Sequence, residues 1–394
     1  EDTSTQMVAL NIVYDVGARD EHPEHTGFAH LFEHLMFGGS AHIPDYDTPL
    51  QLAGGENNAW TNNDITNYYL TVPKPNVETA FWLESDRMLE LAFSEQSLEV
   101  QRGVVMEEFK QRCLNQPYGD VGHLFRPLAF RVHPYRWPTI GKELSHIEQA
   151  TLDEVKSFFY RFYAPNNAVL AVTGNISWDE TVKLTEKWFA PIPRRDVPVR
   201  QLPQEPEQTQ ERRLTVERNV PLDALFMGYH MCSREGADYY AFDILSDILS
   251  NGRSSRLNRR LVQEQNIFSG IDAYISGTRD AGLLQISGKP AAGVSLEQAE
   301  AAVRKELEEL QRSPVDGQEL EKVKNKFEST QIFGNINYLN VATNLAWFEL
   351  TGKAEDIDLE VERYRSVTTE QLHTVAQRTF CESNAVVLYY KSDK

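Results

Sequence analysis

The chain has 394 residues, 41% hydrophobic and 25% charged, with a formal net charge of -19. That length suits two or three domains with cores of their own. The acidic surplus argues against a nucleic-acid partner, whose phosphates need a cationic surface, and no run approaches the roughly 20 apolar residues of a membrane span. Cys113, Cys232 and Cys381 are widely spaced and form no Cys-x-x-Cys pair. That reads against a disulfide framework and for a reducing, cytoplasmic compartment; a periplasmic one follows if a signal peptide was removed ahead of Glu1.

In chain order, residues 6–16 alternate toward a strand, and 26–39 hold a short helix closed by Gly38 and Gly39. A Gly/Asn turn at 54–60 leads into a β-rich strand at 65–72. Helical spacing covers 76–92 and 97–111, and a helix within 151–172 feeds an apolar strand. Five prolines between Phe189 and Gln210 mark a linker at 192–210. Beyond it come a strand at 222–229, a helix at 238–251, strands at 271–276 and 283–287, and charged helices at 296–312 and 318–330.

Thr151 to Val172 and Thr368 to Tyr389 share a Thr start, a helix, then Asn-Ala-Val before a strand, at a constant offset of 217 residues. This points to duplication of an α+β unit, against chance likeness between two helix–strand pairs. The expected fold is α+β, with two homologous domains at 1–191 and 211–394, each an antiparallel sheet packed with helices.

The chemistry-bearing segment is His30-Leu31-Phe32-Glu33-His34. Histidines at i and i+4 share one helix face and can reach one tetrahedral zinc. Glu33 flanks that face without needing to be a ligand. Zinc lowers the pKa of its water to roughly 7, and a neighbouring carboxylate can take the proton as the water attacks a carbonyl. A bare His-x-x-x-His could belong to a core; the His-x-x-Glu-His order is the inverzincin signature. A catalytic zinc takes three protein ligands, and helix 97–111 offers Glu107 and Glu108 for the third. Adjacent helical residues point about 100° apart, and periodicity does not choose between them. His22, His25 and His42 show no ligand spacing and read as loop residues.

These segments together resemble the pitrilysin, insulysin and mitochondrial-processing-peptidase family. Aligning Arg102 with the family's Glu-Arg-x-x-Val-x-x-Glu helix implies that Glu108 is the third ligand and that Gln101 stands where members carry a glutamate that supports the metal ligands. Gly17–Glu21 is similar to the segment before the family's zinc helix, and Gly55–Thr61 with Thr66–Tyr69 to its substrate-binding edge strand. The resemblance implies that Asn58, Ala59 and Trp60 line the substrate cleft, where an extended peptide adds to a sheet edge. Gly252–Leu257 resembles the family's Ser-Ser-Arg-Leu helix start. Val262 and Ser269 then occupy the positions where complete members carry an Arg and a Tyr that contact substrate.

The implied function is a zinc endopeptidase with one Zn2+ per chain, Glu33 activating a zinc-bound water, and a peptide or unfolded segment as substrate. The implied partner is a homologous second subunit that supplies the Arg/Tyr pair, the two closing as halves of a clamshell, with a homodimer as the other arrangement. The resemblance also implies that the natural chain starts slightly before Glu1. Two alternatives stand beside this. A non-catalytic assembly subunit would carry a degraded motif, whereas this one is intact. A structural zinc would need a fourth ligand, and no further His or Cys stands nearby.

Overall fold

A computed structural model describes residues 1–393, folded as two compact units. The first comprises 1–116, 133–203 and 333–358; the second takes 117–132, 204–332 and the rest from 359. The boundary thus differs from a single division at 192–210, because each unit holds one segment from the other half of the sequence.

The first unit is built on strands β1 (Met7–Tyr14), β2 (Glu56–Thr61), β3 (Thr66–Pro73) and β4 (Ala168–Gly174), in the order β2-β3-β1-β4, all antiparallel. Successive side chains of a strand point to opposite faces. Val8, Leu10, Ile12 and Tyr14 join Tyr68, Leu70 and Val72 on one face, which packs against helices Phe28–Leu35, Val77–Leu89 and Leu152–Phe162. Ala9 and Val13 take the other face with Ala171, beneath helix Tyr338–Thr351. Ala342 and Ala346 of that helix are fully buried there, small residues that let its backbone lie close to the sheet. Burial on both faces explains why β1 reads as an almost continuous apolar run.

The second unit holds β5 (Arg212–Arg218), β6 (Ala224–His230), β7 (Phe268–Ile275), β8 (Leu283–Pro290) and β9 (Ala385–Ser392), ordered β5-β9-β6-β8-β7. Helices Tyr239–Ser250, Leu296–Arg312 and Thr369–Thr379 pack on it. Helix Val121–Ala129 also belongs here; a Cβ at Gly228 would meet the Phe125 ring at 2.8 Å. This sheet departs from the all-antiparallel expectation, since β5 runs parallel to β9. β9 is paired antiparallel with β6 on one side, and its remaining edge accepts β5 through a long connection, as a parallel neighbour requires.

Both helix–strand pairs end alike. Asn167 Nδ2 donates to Phe162 O at 2.8 Å, and Asn384 Nδ2 donates to Thr379 O at 3.0 Å. Residues 193–209 have no regular structure, but are held down. Arg195 donates to the carbonyls of Tyr163 and Leu89, and Arg200 pairs with Asp15 and Asp20 in the first unit. Gln208 Nε2 donates to Ala385 O in the second. No helix among the described residues is long and apolar enough to cross a membrane, and none of the three cysteines forms a disulfide.

Candidate metal centre

Helix Phe28–Leu35 is fixed at its start by two devices. Gly27 sits at φ 87°, and a Cβ there would lie 2.8 Å from Ile140 O, so the turn into the helix needs glycine. The buried carboxyl of Glu21 accepts from the N–H groups of Gly27 and Ala29, both at 2.9 Å, satisfying donors that a helix start leaves over. Phe32 and Leu35 anchor the helix in the core, which turns His30 and His34 toward helix Glu95–Phe109. That second helix starts at Ser94, whose side chain accepts from the N–H of Ser97.

Near its C-terminus it presents Glu108. Glu108 Oε2 lies 3.5 Å from His30 Nε2 and 3.3 Å from His34 Nε2. One ligand atom from each residue falls within 4.8 Å of the others, and among the described residues no second group of three metal-capable side chains converges so. Two imidazoles and a carboxylate, with no fourth protein ligand, match the donor set of a catalytic zinc that keeps a position open. His30 is 9% exposed and His34 23%, so the set is closed on one side and reachable on the other. Glu107, by contrast, turns outward and pairs with Lys110 at 2.6 Å.

The electrostatics favour ligand forms. Burial pushes His30 down to about 4, which keeps its ring neutral. A hydrogen bond with His34 holds Glu108 below the usual carboxylate range. Glu33 goes the other way: burial raises it, while the hydroxyl of Thr61, 2.7 Å from Oε2, pulls it back.

The remaining predicted residues are placed as follows. Gln101 lies two turns before Glu108, on the same helix face. Its Nε2 is beside Gly38 (3.8 Å from where a Cβ would stand), and no described hydrogen bond links it to the three converging residues. The His30 Nδ1 atom is buried with no hydrogen-bond partner. Asn58, Ala59 and Trp60 lie on β2, at the sheet edge. Ala59 packs toward the metal-helix cluster, whereas Trp60 packs into the cluster beneath helix Tyr338–Thr351, on the opposite face. In the second unit Val262 packs against the core, and Ser269 Oγ donates to Lys289 O at 3.1 Å. His25 pairs with Glu154, and His42 with Asp86, apart from the metal-capable group. Sequence reasoning missed Glu21, Thr61 and Arg112. Glu21 and Thr61 act on partners distant in sequence, whereas Arg112 follows Glu108 at the i,i+4 helical spacing, the one signal that could have found it.

The chain matches the family description "Insulinase (Peptidase family M16)" over residues 1–120 and "Peptidase M16 inactive domain" over 149–327. It is 26% identical over 395 residues to the zinc protease PqqE of Helicobacter pylori, covering 99% of this chain and 89% of that protein. A crystal structure of a protease from Helicobacter pylori superposes with a TM-score of 0.93 at 26% identity, over 98% of this chain and 95% of the other. The periplasmic protease PqqL from Escherichia coli shares the fold at a TM-score of 0.80 and 18% identity; 99% of this chain covers 45% of that one. With an insulinase-type match on the segment that carries His30, His34 and Glu108, and a second M16 match after it, the chain belongs to peptidase family M16.

Proposed function

We propose that this chain is a zinc-dependent endopeptidase subunit that cuts peptides or unfolded polypeptide segments. His30, His34 and Glu108 hold one Zn2+, and Glu33 is the catalytic base. The observation that carries the reading is the convergence of those three ligand atoms within 4.8 Å, with Glu33 outside the set and held by Thr61. Zinc so bound polarises a carbonyl and makes water a stronger acid. Glu33 takes the proton of the attacking water and returns it to the leaving amine; the raised affinity of its carboxyl for a proton suits both transfers. An extended substrate lies along β2, pairing main chain to main chain with Asn58–Trp60. The inactive-domain match begins at 149, after all four of these site residues, and so does not count against a catalytic role.

The active enzyme pairs this chain with a homologous subunit. Valine at 262 cannot donate a hydrogen bond, and Ser269 is spent on Lys289 O. Arg260, two residues before Val262 and off its register, is bound to Glu306 and Glu309. The doubled length of the Escherichia coli protease supports two such halves working together. Glu33→Gln tests the central assignment. Peptide cleavage by the paired enzyme should vanish while zinc stays near one per chain; substantial residual turnover would remove Glu33 from its role.

A further inference from the structure

The site holds two carboxylates close to the same pair of histidines, and chemistry requires them to behave differently. One must bind the metal and the other must stay off it to carry a proton. Beyond the histidines, each has one further partner of its own. Thr61 Oγ1 donates to Glu33 Oε2 at 2.7 Å. Arg112 Nη1 forms an ion pair with Glu108 Oε1 at 2.8 Å, leaving Oε2 to face both imidazoles. Thr61 is the last residue of edge strand β2, and Arg112 sits in the π-helical turn Lys110–Leu114 that continues helix Glu95–Phe109.

We propose that Thr61 and Arg112 are positioning residues that sort the two carboxylates, Thr61 reserving Glu33 as base and Arg112 fixing Glu108 as a one-oxygen ligand. The inference rests on the zinc peptidase reading above. The hydroxyl holds one Glu33 oxygen on the β2 side, so the carboxylate cannot swing in as a fourth ligand. The guanidinium occupies the outer oxygen of Glu108, so that group offers the metal one atom and leaves room for substrate. Outer partners of this kind typically change metal affinity by about 10–100-fold. Arg112 is 68% exposed, which places its effect near the lower end.

The test uses the full chain with zinc alone as probe, then the paired enzyme with a peptide. Arg112→Leu should weaken zinc binding roughly tenfold, and Arg112→Lys should recover part of it. Thr61→Val should leave zinc affinity intact or slightly tighter and lower kcat at constant KM, with Thr61→Ser restoring kcat. A crystal structure of zinc-loaded Thr61→Val should show Glu33 turned toward the metal. If the unaltered chain binds no zinc, the peptidase reading fails. If it binds zinc, but both variants match it in affinity and in carboxylate placement, the sorting idea is overturned and the peptidase reading survives.

Discussion

The carboxyl of Glu21 lies beneath the first turn of the His-x-x-Glu-His helix, with Oε1 2.9 Å from the nitrogen of Ala29, the residue before His30. It therefore fixes where the first imidazole starts. Glu21→Ala leaves the N–H groups of Gly27 and Ala29 buried without an acceptor. Each such loss costs about 1–3 kcal/mol, so urea unfolding should show a clear fall in stability and a matching loss of zinc affinity. An unchanged midpoint would mean that water replaces the carboxyl.

The same residue makes stability depend on pH. Burial pushes Glu21 up to about 8, against the pull of its two N–H donors. In the unfolded chain the group releases its proton near ~4.3. Between about 5 and 8 the folded state then holds more proton than the unfolded one, so this contribution is lost as pH rises. Glu21→Gln, which cannot titrate, should flatten the decline. The comparison belongs in chelator, so that protons do not compete with metal. Parallel curves for the two proteins would show that Glu21 does not titrate in this window.

Glu107 and Glu108 are neighbours with opposite fates. Glu108→Ala should lose zinc by more than the roughly 100-fold that removal of an outer partner can cost. Glu107→Ala, which removes only an exposed pair with Lys110, should leave the metal in place. Zinc content after dialysis reads the difference directly, and a reversed pattern would move the ligand assignment by one residue.

Trp60 bears on substrate capture indirectly, because its ring packs away from the metal face. Trp60→Ala should destabilise the chain, partly buried aromatic truncations costing up to about 3 kcal/mol, with zinc content unaffected. Capture itself depends on the main chain of β2. A substrate peptide N-methylated at one backbone nitrogen near the cut should therefore show a large rise in KM, while side-chain exchange at the same position has a smaller effect. Equal sensitivity to both would argue against pairing at the sheet edge.

The isolated chain should bind zinc yet cleave slowly. Missing a donor to the developing oxyanion typically costs about 10²–10³ in rate. Adding a homologous chain that carries the Arg/Tyr pair should restore that factor. Full activity from the purified chain with no second polypeptide would refute the pairing.

Much of the first unit was legible because its signals are local. The two histidines and Glu33 sit within one helical turn and a half, and the β-rich segments at 6–16 and 65–72 become β1 and β3. Helix Tyr338–Thr351 was not legible. Apolar residues surround it on several sides, so no single stripe marks it, and its place on Ala9, Val13 and Ala171 is a long-range contact. The parallel partnership of β5 with β9 was hidden for a related reason, since Arg212–Arg218 is a charged edge strand and carries no mark of direction. Glu108 was separable from Glu107 only through the family register of Arg102; in the structure, burial separates them directly.

The exchange of segments between the units has a consequence for any cut made in the irregular stretch 193–209. The chain passes between units at 116–117, 132–133, 203–204, 332–333 and 358–359. A protease nick near 203 would therefore produce two fragments, each keeping a helix that the other unit is built around. The N-terminal fragment retains Val121–Ala129, whose Phe125 ring packs on Gly228; the C-terminal fragment retains Tyr338–Thr351, which roofs Ala9 and Val13. The nicked protein should migrate as one species on a native gel and separate only in denaturant. Either half produced by itself should aggregate, and the two made together should complement each other.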